Sequence, residues 1–170
     1  MIVIRAFDRA LVRRSSFGCG EPGLDLWLRE QASQQDRRHN VRTVLAVDES
    51  VGRVAGYCSA QACETSPDAA FTRSGSARRY AVPTVLIARL AVDEDYQGRG
   101  VGTTLLVDAL RRIARASYAL GFEVVVVHAL HEAAARFYLR CGFRRFVDHP
   151  LSLFLTTQDL RATVADAESP

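Results

Sequence analysis

Gln97, Gly100 and Gly102 form the pattern Q-x-x-G-x-G between the apolar run Pro83–Val92 and a segment of helical periodicity that opens at Thr103. A glycine-dense turn in that setting aims several backbone N–H groups, and the positive end of a helix dipole, at one point, which suits a phosphate. Two familiar phosphate loops are excluded. The P-loop pattern GxxxxGK followed by Ser or Thr needs a lysine, and all 22 residues counted as Lys+Arg are arginines. The dinucleotide pattern GxGxxG fails because Gly98 and Gly100 are followed by Thr103 at the third glycine position. Taken alone, the turn serves equally well as a plain strand-to-helix connection. The lack of lysine also removes Schiff-base and pyridoxal-phosphate chemistry. Enrichment in arginine, alanine, valine and glycine suggests GC-rich coding as its source.

The elements that must position this turn read as one domain over residues 1–170, with a core to about residue 160 and a disordered tail at 161–170. The apolar content of 48% and charged content of 24% are those of a globular chain. Ile2–Phe7, Val41–Val47, Val54–Ala62, Pro83–Val92, Phe122–Ala129 and Leu151–Leu155 read as strands, the second and third as an antiparallel hairpin. Leu24, Trp27 and Leu28 give the segment after Gly23 a helical stripe. Leu106, Leu110, Ile113 and Ser117 do the same for residues 103–120, which Gly121 stops, and Glu132–Cys141 forms a short helix stopped by Gly142. Residues 64–82 read as a polar, mobile insertion. The resulting class is α/β, a mixed sheet with helices on it.

Cys19, Cys58, Cys63 and Cys141 form no CxxC pair and lack nearby histidine spacing, so neither a metal site nor a disulfide framework is expected. A reducing cytoplasm fits. MIVIRAFDR has no secretory apolar stretch, and the apolar run Val124–Val127 falls far short of the ~20 residues of a membrane span.

The strand LIARLAV, the turn DEDYQGRGVG and the later RFYLRCGF, in that order, resemble the GCN5-related N-acetyltransferases, the GNAT superfamily. The resemblance implies the GNAT fold: a central, mostly antiparallel sheet with one splayed parallel strand pair and flanking helices. It implies acetyl-CoA as co-substrate and no metal. Carried onto this chain, Leu90, Ala91 and Val92 would line the pantetheine arm, with main-chain bonds from Leu90 and Val92. Gln97, Gly98, Arg99, Gly100, Val101, Gly102 and Thr103 would cradle the pyrophosphate. His131 stands where the family often has asparagine, and with Phe137 it completes the expected cofactor-binding set. Tyr138, four residues before Gly142 in F-Y-x-x-x-G-F, stands where the family's tyrosines resemble general acids for the departing thiolate. A phenol with a pKa near ~10 gives its proton to a thiolate whose conjugate acid titrates near ~8.5.

Phe17-Gly18-Cys19-Gly20 and Leu24-Asp25-Leu26-Trp27-Leu28 resemble the opening F-x-C-G-x-x-x-L-D-x-W-L of the GNAT toxins of type II toxin–antitoxin modules. That similarity implies acetylation of the α-amino group of aminoacyl-tRNA and a block of translation. It also implies a ribbon-helix-helix antitoxin and a homodimer as partners. The alternatives are a GNAT enzyme acting on a small-molecule or protein amine, and a non-catalytic CoA-binding module. An α-amine with a pKa near ~7.7–8.0 is partly neutral at pH 7 and needs no strong base. Glu123 and His128 read as structural rather than as bases.

Net charge is only +3, yet arginines gather in stretches without acids. These are Arg73, Arg78, Arg79 and Arg89 in 71–92, Arg136, Arg140, Arg144 and Arg145 in 133–147, and Arg37, Arg38 and Arg42. Guanidinium forks suit phosphates. Arg89, a lone charge inside an apolar strand, demands a specific partner. Arg78, Arg79 and Arg89, with Arg37 and Arg38, are the expected RNA contacts.

Overall fold

Short β-branched runs, a six-residue helix and a helix with a π turn build the N-terminal part of the chain in the structure, a computed structural model that describes residues 1–65 and 81–168. The seven strands take the order β1-β2-β3-β4-β5-β7-β6. They are β1 (Ile2–Ala6), β2 (Arg42–Asp48), β3 (Arg53–Thr65), β4 (Val82–Val92), β5 (Val124–His128), β6 (Arg144–Arg145) and β7 (Ser152–Thr156). The pairs β1–β2, β2–β3, β5–β7 and β6–β7 are antiparallel, whereas β4–β5 is parallel. This is the mixed sheet expected. Two compact units divide the chain, residues 1–61 with 88–109 and residues 62–87 with 110–170.

In the first unit α1 (Arg9–Arg14) is capped by Asp8, whose carboxylate accepts from the N–H groups of Ala10 and Leu11. It buries Leu11 and Val12. Six residues are too few for a periodic signal, so the sequence offers no sign of this helix. The helix expected after Gly23 runs as α2 (Pro22–Leu26), a π turn (Trp27–Gln31) and α3 (Ala32–Arg37). The Ala32 N–H reaches back five residues to the Trp27 carbonyl, and the extra residue keeps Trp27, Leu28 and Ala32 all buried. Trp27 stacks on Tyr57 at 5.7 Å between centroids, and Phe17 meets the same ring edge-on. The Tyr57 hydroxyl donates to the Leu24 carbonyl at 2.9 Å. Burial pushes that phenol well above its usual pKa.

Gly56 lies in β3 beneath the start of α4 (Val101–Ala116). A Cβ there would stand 2.8 Å from the Ala91 carbonyl oxygen and 2.9 Å from Leu105 Cδ1. A glycine inside an otherwise apolar strand marks such a close approach.

In the second unit β4 and β5 pair over Thr84–Ile87 and Val124–Val127. β4 then continues for five further residues, Ala88–Val92. Val82, Val124, Val126, Phe146 and Phe154 form this unit's apolar cluster. The chain end departs from the expected tail: α6 (Thr157–Glu168) covers most of residues 161–170. Leu160 is wholly buried, and the Arg161 guanidinium donates to the Ser117 hydroxyl and carbonyl, both at 2.8 Å. These contacts hold the helix that a polar, alanine-rich ending did not announce.

Gly56→Ala is expected to lower unfolding free energy by about 1–3 kcal/mol, because backbone rather than a flexible side chain must yield; chemical denaturation measures it. A second expectation concerns acid. Asp48, in the β2–β3 hairpin, accepts from the Ser50 hydroxyl and N–H and from the Tyr96 hydroxyl, and these bonds lower its pKa to about 2. A depressed carboxyl stabilises the fold above its ordinary pKa, and that contribution disappears as pH falls from about 4 to about 2. Asp48→Asn should flatten this limb of the stability–pH curve.

Candidate active site

β4 ends at Val92, and the next residue organises the turn. The Asp93 side chain is 1% exposed, and Arg53 reaches its two oxygens at 2.8 and 3.0 Å. The Gly18 and Asp95 N–H groups donate to the same carboxylate at 3.0 and 3.1 Å, and the Asp93 N–H donates to the Ala55 carbonyl. Arg53 also pairs with Asp95 at 2.7 Å. These acidic partners raise the guanidinium's pKa further. One ion pair therefore joins β3, the Phe17–Gly20 segment and the one-turn 3-10 helix Glu94–Tyr96.

The Gln97 side chain amide donates to the carbonyls of Val92 at 3.0 Å and Cys19 at 3.1 Å. Its side chain thus ties the turn to the Phe17–Gly20 segment and positions the loop. Gly98 and Gly100 follow at φ +72° and +81°, a region that L side chains rarely adopt. Apart from the chain neighbours, no heavy atom of the described residues lies within 4 Å of where either Cβ would be, so the backbone has room for a ligand. The helix opens at Val101, two residues before the expected Thr103. The Gly100 carbonyl accepts its first bond, from the Thr104 N–H at 3.0 Å. The N–H groups of Val101, Gly102 and Thr103 accordingly have no acceptor within the helix, the arrangement that receives an anion. Arg99 is exposed, with its guanidinium 5.6 Å from the Tyr96 ring centroid.

Upstream in β4, Leu90 and Val92 are half-buried and Ala91 is buried. Arg89 has found a partner of an unexpected kind, since its guanidinium lies 4.1 Å from the centroid of Trp27. Burial lowers its pKa, and among the described residues no carboxylate pairs with it. The result is a positive charge held over an aromatic ring with its N–H groups uncommitted to acceptors among the described residues.

The second unit holds Tyr138 in α5 (Glu132–Arg140), whose alanine-rich sequence favours helix. His131 is its N-cap: Nδ1 accepts from the Ala134 N–H at 3.1 Å. At the other end Gly142 takes φ +92°. Its N–H donates to the Leu139 carbonyl, and the Phe143 N–H donates to the Tyr138 carbonyl at 3.2 Å. This bond pair is a Schellman motif. The Phe143 ring meets the Tyr138 ring edge-on at 5.7 Å, completing the apolar contact that accompanies the motif. The spacing Y-x-x-x-G-F therefore has a local physical cause, because it locks the backbone carrying the tyrosine. Tyr138 is 7% exposed, whereas Phe137, 5.1 Å away between centroids, is the half-buried member of the pair. His128 meets the Ser152 hydroxyl at 2.9 Å through Nδ1, in keeping with its structural reading.

Tertiary contacts redistribute the arginine groups. Arg144 pairs with Asp159 at 2.9 Å and Arg145 with Glu132 at 2.6 Å. Arg42 pairs with Asp36 at 3.7 Å. Arg37 and Arg38 are exposed. Arg73, Arg78 and Arg79 lie outside the described residues. Arg53, Asp93 and Gly56 were not legible as site residues. Only Gly56 left a signal, a lone glycine in a strand, since the ion pair joins positions forty residues apart.

The family model described as Acetyltransferase (GNAT) family matches residues 9–143. A relative from Mycobacterium tuberculosis (strain ATCC 25618 / H37Rv), named tRNA-acetylating toxin, is 38% identical over 156 residues, which are 89% of this chain and 90% of the relative. The solved structure of AtaT complexed with acetyl-methionyl-tRNAfMet superposes with a TM-score of 0.82 at 28% identity, covering 95% of this chain and 98% of that one. A tyrosine-to-phenylalanine mutant of the toxin AtaT, bound to the C-terminus of the antitoxin AtaR and acetyl-CoA, gives a TM-score of 0.76 at 28% identity, covering 95% and 96%.

Removing Arg53 would strand the buried Asp93 charge. Arg53→Met is expected to destabilise by about 3 kcal/mol, and adding Asp93→Asn should restore part of that loss. A double-mutant cycle in denaturant reads the coupling; additive effects would dissolve the proposed linkage between β3 and the turn.

Proposed function

Because the chain belongs to the acetyltransferase (GNAT) family, we propose that it transfers the acetyl group of acetyl-CoA to the α-amino group of aminoacyl-tRNA and thereby blocks translation. The observation that carries this reading is the 38% identity, over 89% of this chain and 90% of the relative, to a protein named for acetylating tRNA. Acetyl-CoA supplies an activated acyl thioester. The open backbone at Gly98 and Gly100 and the first-turn N–H groups of Val101, Gly102 and Thr103 fit its pyrophosphate, with Arg99 adding positive charge. Gln97 serves that group by fixing the loop. The main chain of Leu90, Ala91 and Val92 serves the pantetheine arm, and His131 and Phe137 complete the cofactor-binding set.

Tyr138 is the general acid. Its Oη releases a proton to the departing thiolate, a downhill transfer at the ordinary pKa values of phenol and thiol, and the phenolate regains one when the attacking nitrogen sheds its proton in forming the amide. The acceptor is an ester-linked α-amine, sufficiently neutral at pH 7 to attack without a dedicated base, which agrees with His128 and Glu123 having no catalytic part. Arg89, Arg37 and Arg38, together with Arg78 and Arg79, attract the RNA phosphates. Arg89 has the strongest support among them, as an uncommitted cation fixed on Trp27. The partners of this reading are a ribbon-helix-helix antitoxin and a second copy of the chain, in the cytoplasm. Among the described residues no helix is long and apolar enough to cross a membrane, and no cluster could hold a metal ion.

Tyr138→Phe keeps the ring contacts and removes the proton. Turnover of acetyl-CoA with charged tRNA should fall by about 10²–10⁴ with little change in stability. Mass spectrometry of total tRNA after a brief expression pulse should show acetylated aminoacyl ends for the parent protein alone. Acetylation of free amines or peptides, with charged tRNA untouched, would overturn the acceptor.

A further inference from the structure

Beside β1 and α1 the first unit opens a cavity of about 980 Å³, bordered by Arg5, Asp8, Arg9, Leu11, Arg14 and Glu49 among others. Of its apolar lining, Leu11 and Val47 are buried in the core and Phe7 is half-buried, so the arginines and acids are the exposed part of what a ligand would meet. Both acids on this border are committed. Asp8 caps α1, and Glu49 pairs with Arg5. Arg9, Arg13 and Arg14 are exposed and have no ion-pair or hydrogen-bond partner among the described residues.

Three guanidiniums on a six-residue helix repel one another, and Arg9 and Arg13 stand at the i, i+4 spacing where like charges disfavour a helix. An anion relieves that repulsion. α1 also packs against the π turn that carries Trp27, and Leu11, Val12 and Trp27 share one apolar cluster. The basic helix is therefore built onto the same support that holds Arg89. An acidic peptide would need apolar anchors for affinity, and with Leu11 and Val47 buried only half-buried Phe7 and the small Ala6 remain to offer them. A polyphosphate backbone needs only forks of positive charge, and arginine supplies them.

We propose that Arg9, Arg13 and Arg14 form a second RNA-backbone contact, holding phosphates of the aminoacyl-tRNA in addition to those attracted by Arg89. This rests on the acceptor assigned above. The phosphates are held by charge-assisted hydrogen bonds with release of counterions, so the contact is sensitive to salt and indifferent to base sequence.

The test compares the full-length protein with the triple variant Arg9→Ala/Arg13→Ala/Arg14→Ala and with its triple lysine counterpart. For each, kcat/KM toward charged tRNA is followed across salt from about 50 to about 200 mM, alongside acetyl-CoA-dependent turnover of an amino-acid methyl ester. In the alanine variant the log–log salt slope should become shallower by about 2–3, near 0.7–0.9 for each lost phosphate contact. Its kcat/KM for charged tRNA at physiological salt should fall about tenfold or more, through KM. Ester turnover should stay at the parent value and the thermal midpoint should not fall, because the like-charge repulsion is removed, and the lysine variant should keep most of the parent slope. An unchanged slope in the alanine variant overturns the proposal. So does loss of antitoxin binding with the slope intact, which would assign the surface to a protein partner. Failure of the parent protein itself to acetylate charged tRNA, with ester turnover intact, would instead overturn the acceptor reading.

Discussion

The buried carboxylate of Asp93 is the point on which the first unit turns. A carboxylate at 1% exposure is tolerable only with its charge matched and its oxygens bonded, and Arg53 with the Gly18 and Asp95 N–H groups meets both conditions. A buried ion pair is weak evidence for net stability, since an apolar replacement often does as well. Its value here is directional. An apolar side chain would bury Asp93's position equally well but would leave the Phe17–Gly20 segment and the Glu94–Tyr96 turn free to settle elsewhere. Gln97 adds a second tie between the same two segments. Gly56 then lets the end of β4 and the start of α4 approach β3 closely, and the free N–H groups of α4 inherit their aim from that stack.

The tyrosine is fixed by the opposite strategy. Nothing distant is needed to hold its backbone, because His131 caps one end of α5 and Gly142 with Phe143 closes the other within five residues of Tyr138. A Schellman motif is local and recoverable from a short fragment of chain, whereas the Asp93 network exists only once β3 and the turn have met. This difference is also one of legibility. F-Y-x-x-x-G-F could be read as a helix with a stop and a tyrosine in place. Arg53 looked like any arginine opening a hairpin strand.

Most strands, the long helix α4 and the glycine turn were legible because their signals are periodic or depend on glycine and lie within one window of sequence. α1 and the two-residue β6 fell below the length at which a period can be seen. α6 has only a weak apolar face, and its order derives from Leu160 and from Arg161 reaching Ser117. The arginine groups show the same limit in charge rather than shape. Counting acids in a window left Arg144 and Arg145 without counter-charges, and the fold supplies Asp159 and Glu132 from outside it. The α1 arginines illustrate the reverse. Asp8 lies in their window and offsets one of the three charges, but its oxygens cap the helix and pair with none of the arginines among the described residues.

The absence of lysine acquires a structural meaning at Arg89. Desolvation above Trp27 lowers the pKa of whichever cation sits there. Guanidinium starts far enough above neutrality to stay charged through such a loss, while an ammonium starting near ~10.4 has much less margin. A planar guanidinium can also stack on an indole face and leave its N–H edge available, which a tetrahedral ammonium cannot do equally. A composition that GC-rich coding would explain thus also suits the task. A positive charge half-buried against an aromatic stack, with no carboxylate paired to it among the described residues, persists in the folded protein because the residue is arginine. The stack of Trp27 on Tyr57, locked by the Tyr57 hydroxyl on Leu24, then confines that charge to one place.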